Sequence, residues 1–158
     1  MCDSPQKDMG YDISNSEDIY PQYGTLTDAE NLIKECHMHG MKYIFGLFIN
    51  HISDQYAWFK ESRSSKDNPN KTSIFGGLQN MMRMGNGCHQ PEYYLHPFTL
   101  EQPDLNWETE DTRDAIYRSA VQFWLDKGID GFRIDTVNIL NKGNELPDGP
   151  INNPRDEF

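Results

Sequence analysis

Cysteine is scarce. There are three in 158 residues, Cys2, Cys36 and Cys88, an odd number with no metal-ligand spacing. That argues against a disulfide framework and for a reducing, cytoplasmic setting. No apolar run approaches the roughly 20 residues of a membrane span, so no membrane partner is expected. The N-terminal stretch "MCDSPQKDMGYD" has no apolar core, and no secretory leader is read there. Positive charge is short as well: 14 Lys and Arg stand against 25 Asp and Glu, a net charge of −11. A chain this acidic repels phosphate backbones, which argues against nucleic-acid binding. Apolar residues make up 36%, and mean hydropathy is −0.79, both polar for a compact domain. Aromatics at 12% nevertheless argue against disorder. The length suits one ordinary domain.

Ordered segments stand out from this polar background. Residues 1–26 are turn-rich and read as loop. In "TDAENLIKECHMHG", Thr27 and Glu30 have capping-box spacing. Ala29, Leu32, Ile33 and Cys36 repeat at helical intervals and Gly40 is a stop, so the spacing predicts a helix over 28–38. "KYIFGLFIN" reads as a strand buried on both faces. Residues 54–106 are rich in Ser, Asn, Gly, Met and Pro and predict a long irregular excursion, with a short helix near "QYAWFKES". An excursion of this length in a compact domain implies function. "NWETEDTRDAIYRSAVQFWLDKG" predicts a second helix, acidic in its first turn. Ile116, Ala120, Phe123 and Trp124 share one face, and Gly128 ends it. "GFRID" predicts a second buried strand, with Phe132, Ile134 and Val137 inward, and the remaining tail reads as loop. Alternating helices and doubly buried strands imply an α/β fold with a parallel sheet or barrel. Two strands complete neither, so a slice of a larger α/β domain is expected.

Polar residues gather where both strands end. Asn50 and His51 follow the first, and Arg133 and Asp135 close the second. Parallel α/β folds bind ligands at the C-terminal ends of their strands. Residues two apart on a strand face the same side, so Arg133 and Asp135 are expected to share one pocket. A carboxylate beside a fixed guanidinium stays ionised, as a nucleophilic or electrostatic Asp requires. The plain alternatives are a structural ion pair and a structural histidine.

These residues lie in a wider likeness. "GFRIDTVNIL" resembles the second signature region of the α-amylase superfamily, glycoside hydrolase family 13, and "GLFINHIS" resembles the first. "SPQKDMGYDIS", "YPQYGTL", "WFKESRSSKDNP", "EYYLHPF" and "QPDLNWE" resemble its α-glucosidase and oligo-1,6-glucosidase branch, in order and through nearly the whole chain. The resemblance implies a partial (β/α)8 TIM barrel. Residues 1–53 and 107–158 would be barrel segments, with strand three at 42–49 and strand four at 131–135. Residues 54–106 would be a truncated inserted subdomain.

By the same resemblance, Asp135 is the nucleophile of a retaining hydrolase and Arg133 the residue that orients it. His51, Asp8 and Tyr11 grip a terminal glucose, and Thr136 tilts preference towards α-1,4 linkages of maltose type over α-1,6 linkages of isomaltose type. The expected partner is a small oligosaccharide. No cofactor is expected and no metal is required, since Asn50, His51 and Asp135 are too few ligands and Arg133 would repel a cation. The sequence departs from the family where Gly46 replaces an Asp, which is expected to loosen His51 and Arg133. A shortening between about Asn70 and Phe75 and the Leu78-Gln79-Asn80 triplet are further departures. No Glu after Asp135 has the context of an acid/base, Glu145 and Glu157 included. The expectation is a fragment, inactive as an isolated chain; a non-catalytic carbohydrate-binding relative is the alternative.

Overall fold

The computed structural model describes residues 1–64, 73–74, 81–83 and 93–140. The predicted shortening near Asn70, the Leu78-Gln79-Asn80 triplet, Cys88, Glu145 and Glu157 lie outside them. The N-terminal stretch read as loop contains two short antiparallel strands, β1 (Cys2–Asp3) and β2 (Asn15–Ile19). Their burial does not alternate cleanly, so no strand period marked them.

Helix α1 (Leu26–Met38) begins two residues earlier than predicted. Thr25 is the N-cap, and Asp28 completes the capping box instead of Thr27 and Glu30. The Asp28 carboxylate accepts from the Thr25 N–H at 2.8 Å, and Thr25 Oγ1 accepts from the Asp28 N–H at 3.2 Å. Glu30 is free of the cap and pairs with Lys127, tying α1 to the second helical segment. Only Ile33 of the predicted apolar face is buried; Leu32 is exposed. The helix ends at Gly40, whose φ of 69° is the left-handed conformation that favours glycine.

Strand β3 (Ile44–Leu47) pairs in parallel with β6 (Gly131–Ile134), Ile44 opposite Gly131 and Leu47 opposite Ile134. The expectation of strands buried on both faces fails. Phe45 and Leu47 are 5% exposed, but Ile44 is 63% and Ile134 45% exposed. Among the described residues β3 and β6 pair only with each other, so each has an unpaired edge; Ile44 and Ile134 lie on opposite faces and are exposed on both. Val137 is not in the strand either; it opens a 3-10 turn, Val137–Ile139, and is 44% exposed.

Helix α2 (Ala57–Ser62) lies where "QYAWFKES" predicted one. The excursion also contributes β4 (Met81–Arg83) and β5 (Tyr93–Leu95), an antiparallel pair. The second predicted helix is α3 (Glu110–Ile116), a π-helical stretch Tyr117–Gln122, and α4 (Phe123–Asp126). Ile116, Ala120 and Trp124 from it are buried, while Phe123 is only partly so. Trp124 stacks on Phe45 of β3 with centroids 4.2 Å apart, and its Nε1–H donates to the Ser16 carbonyl at 2.8 Å. One side chain therefore joins the N-terminal hairpin, the sheet and the helical layer. Burying an aromatic this large contributes about 3 kcal/mol, and the indole N–H keeps a partner.

Candidate active site

The register of the parallel pair sets the geometry. Gly46 sits opposite Arg133, and the Asp135 N–H continues the ladder by donating to the Leu47 carbonyl at 3.0 Å. Alternation along each strand then puts Gly46, Phe48, Arg133 and Asp135 on one face. Arg133 Nη1 donates to Asp135 Oδ1 at 2.5 Å. The two charges do share one site, but not a buried one: the Arg133 side chain is 60% exposed and that of Asp135 16%. The strand turns sharply after them. Thr136 has φ 50° and ψ 32°, a left-handed conformation that a β-branched residue rarely adopts. It is therefore a turn residue and not a strand residue, and such strain clusters where the chain must aim a side chain.

The N-terminal loop is organised by a carboxylate that sequence reasoning missed. Asp12 is fully buried. Its oxygens accept from Ser4 Oγ at 2.8 Å and from the N–H groups of Lys7 and Asp8 at 3.0 and 3.2 Å. These bonds close the loop into a turn in which the Tyr11 N–H donates to the Asp8 carbonyl. Asp8 and Tyr11 are thereby held at fixed spacing. The only sequence signal was an Asp beside an apolar Ile13 in a loop.

Asp8 and His51 meet through a second residue that sequence reasoning did not single out. The fully buried Gln102 places its Nε2 3.0 Å from Asp8 Oδ2 and 3.0 Å from His51 Nε2. His51 is itself 3% exposed and lies against Phe98, ring centroids 5.1 Å apart. The run around Gln102 is laced to residues 49–52, which follow β3. Ile52 N–H donates to the Pro103 carbonyl, Leu105 N–H to the Asn50 carbonyl, and Trp107 Nε1–H to the Ile49 carbonyl at 2.8 Å. Asn50 Nδ2 donates to Asp104 Oδ1 at 3.0 Å. His51 is thus held by Gln102 despite Gly46, whereas Arg133 projects towards solvent. Tyr11 packs edge-on against Phe48, with centroids 4.4 Å apart.

The candidate site has two polar groupings: Asp8–Gln102–His51, held by the segment after β3, and Arg133–Asp135, at the end of its partner β6. In the first, the partly buried Asp8 carboxylate is the group a sugar hydroxyl can reach, with the buried Gln102 amide behind it. The second offers a carboxylate oriented by a guanidinium. No group of three or more His, Cys, Asp or Glu among the described residues is arranged to hold a metal ion. No described helix is long and apolar enough to cross a membrane.

Known proteins resemble this chain in sequence and in fold. The family model described as "Alpha amylase, catalytic domain" matches residues 1–158. An alpha-glucosidase of Candida albicans is 48% identical over all of this chain and 31% of its own length. Oligo-1,6-glucosidase IMA5 of Saccharomyces cerevisiae is 45% identical over 96% of this chain and 29% of its own. Among solved structures, trehalulose synthase MutB from Pseudomonas mesoacidophila MX-45 superposes with a TM-score of 0.82 at 38% identity. That match covers 90% of this chain and 28% of MutB; a MutB mutant has been solved with the substrate sucrose. The chain spans about a third of the length of these curated relatives. It belongs to the alpha-amylase catalytic-domain family.

Proposed function

We propose that this chain is part of a retaining α-glucosidase acting on terminal α-glucosidic bonds of maltose-type oligosaccharides, with Asp135 as the nucleophile. The observation that carries the reading is the parallel pairing of β3 and β6, which aligns Arg133 and Asp135 at the C-terminal end of the pair. In this reading β3 and β6 are strands three and four of a (β/α)8 barrel. Residues 54–106 are its inserted subdomain, between barrel segments at 1–53 and 107–158. Asp135 attacks the anomeric carbon, the carbon–oxygen bond to the leaving sugar breaks, and a glycosyl ester forms that water then hydrolyses. Arg133 keeps the Asp135 oxygen aimed. Asp8 and His51 bind hydroxyls of the terminal glucose, and Tyr11 lies against its ring. Thr136 favours α-1,4 over α-1,6 linkages. Names of relatives support the substrate class: alpha-glucosidase and oligo-1,6-glucosidase. The free thiols of Cys2 and Cys36 suit a cytoplasmic setting.

Retaining hydrolysis needs a second carboxylate as acid/base, and removing one typically costs 10²–10⁴-fold. No sequence motif of this chain supplies it, so the 158-residue chain turns nothing over by itself. Hydrolysis of p-nitrophenyl α-glucoside by the purified chain is expected to equal that of Asp135→Asn; turnover above that control overturns the inactivity. Gly46, where the family places an Asp, favours a second reading, a non-catalytic carbohydrate-binding relative. Saturable maltose binding that survives intact in Asp135→Asn and is lost in His51→Ala would favour it.

A further inference from the structure

We infer that Phe48 is a positioning residue for Tyr11, and that glycine stands at 46 to make room for it; the ligand half of this inference rests on the α-glucoside reading above. Gly46 interrupts a strand, where glycine weakens the pairing and often marks a close approach. Its backbone does not need glycine, because the positive-φ glycines are Gly10, Gly24, Gly40 and Gly128. Space needs it. A Cβ at position 46 would lie 3.2 Å from Phe48 Cε2 and 3.3 Å from Cζ. Positions 46 and 48 project to the same side of β3, so the ring folds back over the glycine. The same ring meets Tyr11 edge-on at 4.4 Å and 64°, a favoured aromatic geometry. Tyr11 comes from a loop and otherwise depends on the Asp12-organised turn for its place. Gly46 is in register with Arg133, so the aromatic pair stands on the sheet face that carries Arg133 and Asp135. Gly46, Phe48 and Tyr11 thus form one apolar wall, suited to the C–H face of a pyranose ring.

A plain packing role for Phe48 makes different predictions. If it only fills volume, leucine serves as well. The test compares wild type, Phe48→Leu, Phe48→Tyr, Gly46→Ala and the Gly46→Ala/Phe48→Leu double variant in the full chain. Two readouts are used: maltose titration, and NMR of labelled tyrosines. Phe48→Leu is expected to abolish the ring-current shift of Tyr11 and to weaken maltose binding about threefold to tenfold, the factor an aromatic pair typically carries. Phe48→Tyr is expected to keep both. Gly46→Ala is expected to move the Tyr11 signals in the wild-type background and to add nothing in the Phe48→Leu background. Unmoved Tyr11 signals in Phe48→Leu, or additive effects of the two substitutions, overturn the inference whether or not sugar binds. Unchanged maltose affinity in Phe48→Leu overturns its ligand half. Absence of maltose binding by wild type overturns the α-glucoside reading, while the Tyr11 signals still decide the positioning role.

Discussion

The Gln102 amide nitrogen stands 3.0 Å from His51 Nε2, and this contact favours one histidine tautomer. The same nitrogen donates to Asp8 Oδ2, while Gln102 Oε1 accepts from Thr99 Oγ1 at 3.1 Å. The amide orientation is thereby set, and its second hydrogen points at His51. To accept from it Nε2 presents a lone pair, which puts the ring proton on Nδ1. Asn50 Nδ2 lies 3.4 Å from that Nδ1, a longer contact than the 3.0 Å from Gln102 to Nε2. Nitrogen-15 NMR is expected to find the Nδ1–H form of His51. Gln102→Leu removes donors from two acceptors in a buried setting and is expected to lower stability by about 1–3 kcal/mol. A denaturation midpoint within error of wild type would contradict this.

The Arg133–Asp135 pair predicts a different balance. With 60% of the Arg133 side chain exposed, solvent screens the pair, and such pairs contribute about 0–1 kcal/mol. Arg133→Ala is therefore expected to shift the unfolding free energy by less than about 1 kcal/mol. Its effect falls on the aim of Asp135, which loses its hydrogen-bond donor. Urea denaturation of Arg133→Ala beside Asp135→Asn checks this; a large loss of stability in Arg133→Ala would make the pair structural.

Asp130 holds the opposite end of the sheet. Its carboxyl sits well below the usual carboxylate range, first because Lys42 Nζ donates to it, then because the Tyr43 N–H and His37 do. A depressed carboxyl contributes stability that is present above its unfolded value near 3.8 and is lost as pH falls towards the folded value. Asp130→Asn is expected to flatten the acid limb of a stability-against-pH profile below about pH 4. An unchanged acid limb would contradict it.

Burial pushes the Cys2 thiol up from 9.0 to about 12. The thiolate is the reactive form, so Cys2 is expected to resist iodoacetamide at pH 8 in the native chain, while the half-exposed Cys36 reacts. Peptide mass spectrometry reads both sites. Equal labelling of Cys2 and Cys36 would place Cys2 outside the core.

Helical spacing in the sequence predicted α1 and the α3–α4 segment, and short apolar runs predicted both strands; α2 is expected within an irregular excursion. Each carries a local pattern, whether apolar spacing, a glycine stop or an acidic first turn. What it missed depends on partners distant in sequence. The cap of α1 is predicted at Thr27 but lies at Thr25, and Glu30 is drawn away by Lys127, 97 residues on. Ile44 and Ile134 look like core residues because the apolar run is continuous, yet coverage of a sheet face is a tertiary property. Gln102 and Asp12 were overlooked at the site for a related reason: a buried amide or carboxylate shows its role only through the groups it meets. Phe48 looked like one more apolar strand residue until Gly46 and Tyr11 were seen around it.

The most direct measurement is calorimetric or NMR titration of the full chain with maltose, beside its β-linked counterpart cellobiose and beside the His51→Ala and Asp8→Asn variants. The account predicts saturable maltose binding by wild type, little response to cellobiose, and at least tenfold weaker binding in each variant, about 1.4 kcal/mol. No saturation with maltose, or equal responses to the two sugars, would contradict it.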